Sequence, residues 1–317
     1  MAGSTLNPNR VAQALSAMGT VDPSRQAALA AIQEKGFPSA RHEDWRHNRQ
    51  IPFQRQALGV NPKPSATVDW SQSPFSQFNR LAIVDGYPEN REGEPIAPLI
   101  PDRPLPQPKV GVSTPFFDLN TALCPETMHL EIPAHTRGIK PIYLPVTDIE
   151  SPFLTNPRLN LALNSGSEAT LLWHNLSGPK PATPRNGVLS IQLKENAHLT
   201  LVSIDETDPG DSRLSTVVIS QEDHSVLNWT HLSLARGQTR MDVLANLTGE
   251  GAELTLNALG LLSGKAEADI HSVITHASPA TASREVVKNV LTQNAHGIFN
   301  GRVVVAPHAI KTDSQQS

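Results

Sequence analysis

The sequence predicts a mostly β chain: a right-handed parallel β-helix, flattened to about two strands per rung, with a small α-helical region before it. Two observations predict it. After Arg158, short runs rich in Leu, Val, Ile and Thr alternate with Gly, Asn and Asp turns, which is strand composition. The same region is also self-similar. The segment from Val188 to Leu201 aligns without gaps on that from Val243 to Leu256, 55 positions on, and both end in Glu-x-Ala-x-Leu-Thr-Leu. Weaker copies start at Ala169 and Ser225, so the small residues Ala169, Ala197, Ser225 and Ala252 are spaced 28, 28 and 27 apart. A small residue opens a strand at a tight corner, and side chains two and four positions later point into a core. Second strands are expected over Asn186–Leu193, Leu214–Ser220 and Arg240–Thr248. A β-sandwich with a chance repeat is the competing fold.

Three zones follow from proline and glycine. Residues 1–60 form the helical region: Ala-rich helical spacing runs from Ser24 to Glu34, with Asp22 as N-cap, Pro23 in the first turn and Gly36-Phe37-Pro38 as the stop. The stretch Ala40 to Leu58 suggests further short helices. Residues 61–157 are proline-rich, most densely from Pro95 to Pro108, which points to short edge strands and ordered loops leading into the core. The apolar island Leu81–Val84 predicts local packing there. Residues 158–317 are the β-helix core.

Composition removes several function classes. Net charge is −4 over 317 residues and aromatic content is 4%, so neither bulk attraction to nucleic acid nor base stacking is expected. No apolar run reaches membrane-spanning length, and the first twenty residues make a poor secretory signal. One cysteine, Cys124, excludes an internal disulfide and suits a reducing compartment, and its apolar surroundings predict an inert buried thiol. The chain is expected to be cytoplasmic.

The search for catalytic motifs is mostly negative. Leu259 stands where a Walker loop ending at Gly264-Lys265 needs glycine, and Leu254 breaks the dinucleotide pattern begun at Gly249-x-Gly251. The sequons at Asn175, Asn228 and Asn246 read as solenoid turns and strands. Asp269-x-His271, with His276, His296 and His308 downstream, has metal-ligating residue types. Strand alternation nevertheless sends His276 to the face opposite Asp269 and His271, so a structural role is expected and no metal ligand is assigned. Glu168, Glu195, Glu222 and Glu250 recur near rung spacing and read as solvated corners. A carbohydrate-active β-helix would need paired carboxylates, such as Asp205 with Asp242 or Glu222. No catalytic or cofactor-binding residue is assigned, and the chain is expected not to be an enzyme.

The C-terminal residues Asp269-x-His271-x-x-x-x-His276, Ser283-Arg-Glu-x-x-Lys288, Ala295-x-Gly-x-Phe299-x-Gly301 and Lys311-Thr-Asp313-x-Gln315 resemble the core of the SufB/SufD family. Pro38-x-x-Arg41-x-Glu43-x-Trp45-Arg46 resembles a motif near the start of its SufD branch. The resemblance implies a scaffold subunit of iron–sulfur cluster assembly, pairing with a SufB-like paralogue and a SufC-like ABC-type ATPase. It implies no stably bound cofactor on this chain alone, a transient iron–sulfur cluster in the whole complex, and a cytoplasmic or, in a photosynthetic eukaryote, plastid-stromal location. Family members continue past the Lys-Thr-Asp motif into another β-helix turn and a C-terminal helical domain. The chain is therefore expected to be truncated before the ATPase-binding helices, with a homodimer as a possible state. The alternative is an interaction solenoid unrelated to iron–sulfur clusters.

Overall fold

A computed structural model describes residues 6–19, 22–38, 42, 45, 58–59, 61–70, 73–89, 114–178 and 184–317. The proline-rich run 95–108 and most of the stretch from Ala40 to Leu58 lie outside the described residues.

Three helices are each started by the same device. Asn7, Asp22 and Thr114 are N-caps in extended conformation, each followed by a proline whose missing N–H costs nothing in a first turn. They open α1 (Pro8–Ala17), α2 (Pro23–Lys35) and α3 (Pro115–Leu123). The second matches the expected helix and stops at Gly36, whose φ is 68°. Arg25 of α2 donates to the carbonyls of Ala122 and Cys124 (2.9 and 2.7 Å), satisfying the end of α3. Val11, Ala14, Leu15, Ile32, Phe116, Leu119 and Leu123 form one apolar cluster with Trp45 and Leu214.

The remainder is a solenoid of two parallel sheets. One contains β4 (Thr127–Ile132), β6 (Arg158–Leu163), β8 (Arg185–Leu193), β10 (Ser212–Gln221), β12 (Gln238–Leu247), β14 (Glu267–His276) and β16 (His296–Val305). The other contains β5 (Ile142–Thr147), β7 (Glu168–Asn175), β9 (His198–Asp205), β11 (Val226–Ser233), β13 (Glu253–Leu262), β15 (Ala282–Leu291) and β17 (Asp313–Gln316). It is extended by β1 (Asn79–Arg80), β2 (Ala82–Val84) and β3 (Tyr87–Glu89), of which β3 alone runs antiparallel to its neighbour. Two strands per rung and parallel pairing agree with the prediction. The ladders begin well before Arg158, because β4 pairs with β6 and β2 with β5. The proline-rich zone thus supplies the first rung, and Leu81 and Ile83 enter the main core.

Register corrects two details of the predicted repeat. Ala197, Ser225 and Ala252 occupy one column, but the ladder pairs Glu168 with His198, which places Ser167 rather than Ala169 at that level. In the other sheet Leu189, Val217 and Val243 are stacked, an offset of 54 against 55 for Leu199 and Leu254. The corner from Thr248 to Gly251 carries one extra residue, where Thr248 and Gly249 both donate to the Gln221 carbonyl (2.8 and 3.0 Å). A gapless alignment therefore runs one residue out of register in one sheet.

That corner explains how the chain turns. His135, Gly166, Asn196, His224, Gly251, Ala280 and Lys311 all have positive φ, between 53° and 68°. From Gly166 to Ala280 each donates its N–H to the carbonyl just before the next member, so the left-handed residues stack as a ladder. A Cβ on Gly251 would lie 2.5 Å from Nδ1 of the exposed His224 ring, so a larger residue there must displace that ring while holding a left-handed conformation. Gly251→Val is expected to lower unfolding free energy by about 2 kcal/mol in urea titration. Gly138→Ala, at φ 70° with open space around it, is expected to cost roughly 1 kcal/mol or less.

Candidate functional site

The inner columns of both sheets are mainly aliphatic, from Leu159, Leu161 and Leu163 to Val243, Ala245 and Leu247. Each such side chain withdrawn from water contributes roughly 1.5–3 kcal/mol. Several polar groups inside this lumen are paired across rungs, while others, such as the Ser233 hydroxyl, are buried without a partner among the described residues. Arg185 holds Asp148 through two nitrogens (3.0 and 2.7 Å), and Asn175 donates to Asp205 (2.7 Å). Trp229 donates to Ser203 Oγ (2.7 Å), which leaves the Ser203 hydroxyl to meet His231 Nδ1 (2.8 Å). These contacts join residues on different rungs, so no local motif announces them.

The residue types singled out as candidate ligands separate. Asp269 and His271 face the outside of β14, with His271 Nε2 2.9 Å from Asp269 Oδ1. His276 faces the lumen and is fully buried, between Thr281 Oγ1 on Nδ1 (2.8 Å) and Ser283 Oγ on Nε2 (2.9 Å). His296 and His308 are exposed. No group of three or more His, Cys, Asp or Glu side chains able to hold a metal ion occurs among the described residues. Cys124 caps α3 and is buried, which pushes its thiol pKa up. Asp205 lies in the lumen, Asp242 on the outer face of β12, and Glu222 at a corner 2.5 Å from Lys194 Nζ. The carboxylates a sugar-cleaving site would require therefore do not converge. Of the recurrent glutamates, Glu195 and Glu250 stack with Asp223 between them, while Glu168 begins β7.

One constellation does converge. It lies on the outer face of the β8–β10–β12–β14 sheet, at the edge of the helical region. Arg240 is buried and donates through Nε and Nη2 to Asp242 Oδ1 (3.0 and 2.8 Å) and through Nη1 to Asp269 Oδ2 (3.0 Å). Its guanidinium stands 3.6 Å from the Trp45 ring centroid, and Trp45 in turn packs on Phe116 at 5.2 Å. Burial raises the Asp242 pKa, while Arg240 and then His271 oppose the rise. Beside this cluster is a half-open cavity of about 260 Å³, walled by Trp45, Thr114, Arg240, His271, Asn300 and Arg302 among others. Register brings Asp242, His271 and Asn300 side by side on β12, β14 and β16, and Leu244, Val273 and Arg302 likewise. Three of the quoted sequence motifs, those holding Trp45, Asp269-x-His271 and Phe299-x-Gly301, thus meet in space. Arg240 was not singled out in the sequence. Its only local signal is Arg240-x-Asp242 on one strand face.

Residues 147–317 match the SufBD core domain of the SUF system for FeS cluster assembly. The chain is 25% identical over 320 residues to the iron-sulfur cluster assembly protein SufD of Escherichia coli (strain K12), covering 93% of this chain and 72% of that protein. It is 28% identical over 213 residues to an iron-sulfur cluster assembly SufBD family protein of Synechocystis sp., covering 63% of this chain and 47% of that protein.

Two outcomes are expected from this geometry. Arg240→Met strands two buried carboxylates and should cost about 3–5 kcal/mol by denaturant titration, whereas the triple variant with Asp242→Asn and Asp269→Asn should recover part of it. Burial also lowers the pKa of His174, His231 and His276. A lowered folded pKa means the unfolded chain binds more protons, so this stability is complete above the ordinary value of about 6.5 and declines as pH falls from there toward the folded values. The raised carboxyls of Asp242 and Glu285 act in the opposite sense. The histidine contribution is therefore read as a difference. The urea midpoint should fall more between about pH 7.5 and about pH 5.5 in the wild type than in His231→Asn.

Proposed function

The chain belongs to the SufB/SufD family of iron–sulfur cluster assembly proteins, on its SufD branch, and we propose that it serves there as a non-catalytic scaffold subunit. In this reading it pairs with a SufB-like paralogue and joins a SufC-like ABC-type ATPase. The iron–sulfur cluster is the cargo of the whole complex, formed transiently and passed on, and this chain alone holds no cofactor stably. The supporting observation is the extent of the core match, which runs from the end of β5 through every later rung to residue 317. A solenoid suits scaffolding because its stacked rungs present long, flat sheet faces whose geometry is fixed by the backbone ladder rather than by side chains. The family match replaces the alternative of an interaction solenoid unrelated to iron–sulfur clusters.

No helix among the described residues is long and apolar enough to cross a membrane. A cytoplasmic or plastid-stromal setting accords with the reducing chemistry that cluster assembly requires and with a single buried thiol. The test is affinity capture of the tagged natural gene product from its own cells. Recovery of a SufB-like chain together with an ABC-type ATPase is the expected result. Capture of neither would remove the scaffold assignment and leave the family membership standing.

A further inference from the structure

The cavity beside Arg240 is built from segments far apart in the chain. The two carboxylates nearby are already engaged with Arg240: Asp242 Oδ1 takes two of its nitrogens and Asp269 Oδ2 the third, with His271 Nε2 lying 2.9 Å from Asp269 Oδ1. What remains at the mouth is Arg302 and Asn300, both exposed on β16. Among the described residues Arg302 makes no ion pair. Thr114 and Pro115, at the N-terminal end of α3, form the facing wall and bring the positive end of that helix to the cavity. The Trp45 ring closes one side.

We propose that this cavity binds a small oxyanion, a phosphate or carboxylate group, with Arg302 as its principal contact and Asn300 as a second donor. Arg302 supplies a fork of N–H donors matched to two oxygens of such a group, and the guanidinium is weakly hydrated enough to give up water for it. Arg240 does not contact the ligand in this arrangement. Saturated by its two carboxylates, it fixes Trp45 and with it the wall of the cavity. The volume, about 260 Å³, admits an inorganic or small organic anion and excludes anything as large as a folded segment. A cation is disfavoured because the two carboxylates here already offset the charge of Arg240, and the acid of Asp242 is held back from ionising by burial.

Because Arg302 is exposed and makes no ion pair among the described residues, Arg302→Ala tests the site without endangering the fold. Pyrophosphate and citrate are titrated separately into the chain by calorimetry at low ionic strength, so that phosphate and carboxylate chemistry are told apart. One saturable site is expected for at least one of them, weakened about tenfold or more in Arg302→Ala. Arg284→Ala, an exposed arginine on the opposite sheet, should leave it unchanged. Absence of saturable binding, or an equal loss in both variants, overturns the proposal. Either result leaves the scaffold reading untouched, since that rests on partner capture.

Discussion

In a parallel solenoid every residue is stacked in register on its counterpart one rung away, about 4.8 Å distant, and each column must hold side chains that tolerate that stacking. This constraint governs the rest of the molecule. It fills the lumen with leucine, valine and isoleucine. It also gathers the left-handed turn residues from His135 to Lys311 into a single corner, where the backbone rather than the side chain decides what fits. Where the inner column turns polar, a partner can come from another rung, as with Asn175 on Asp205 or Ser203 on His231. A rung therefore has no independent stability, and damage at one level is felt at the next.

The same stacking organises the outer face. Residues one strand apart and equal in register become neighbours, so Asp242, His271 and Asn300 meet although nearly thirty residues separate each pair. Arg240 converts that arrangement into an attachment point: its charge is cancelled by Asp242 and Asp269, and its flat face is covered by Trp45. Removing two charges from water is unfavourable unless geometry is good, and here three nitrogens of one guanidinium meet two carboxylates. What the site contributes is position. The helical region rests on the solenoid with Trp45 in one place.

Much of the architecture was legible in advance because it is written in periodicity. Alternation and recurring small residues disclosed two strands per rung, and Asp22-Pro23 with Gly36 disclosed α2. Helices α1 and α3 carry the same cap-then-proline signal at Asn7-Pro8 and Thr114-Pro115; α1 falls inside the helical region expected over residues 1–60, whereas α3 lies in the proline-rich zone read as short strands and loops. Phase was the weaker inference. Ala169 resembles Ala197 in type, yet Ser167 occupies its level, because rung length varies by a few residues at corners and the ladder absorbs the difference. Arg240 and Arg185 escaped notice for another reason: a buried arginine is meaningful only beside its carboxylates, and Asp269 and Asp148 lie on another strand or beyond a corner, leaving Asp242 as the one local partner. The motif resemblance reached the family without either.

Cross-rung register is what places the lumen, the corner ladder and the Arg240 cluster, so a direct test of register is the most searching one. Thr170 and Thr200 are cross-strand partners on the outer face of β7 and β9. The repeat read from small residues would instead set Thr170 against His198. In-register neighbours lie within disulfide reach, whereas a two-residue offset separates them by more than about 7 Å. The measurement is cross-linking under mild oxidation of two double variants, Thr170→Cys with Thr200→Cys and Thr170→Cys with His198→Cys. Rapid intramolecular closure in the first and little in the second is the predicted result; preferential closure of the second would contradict the account.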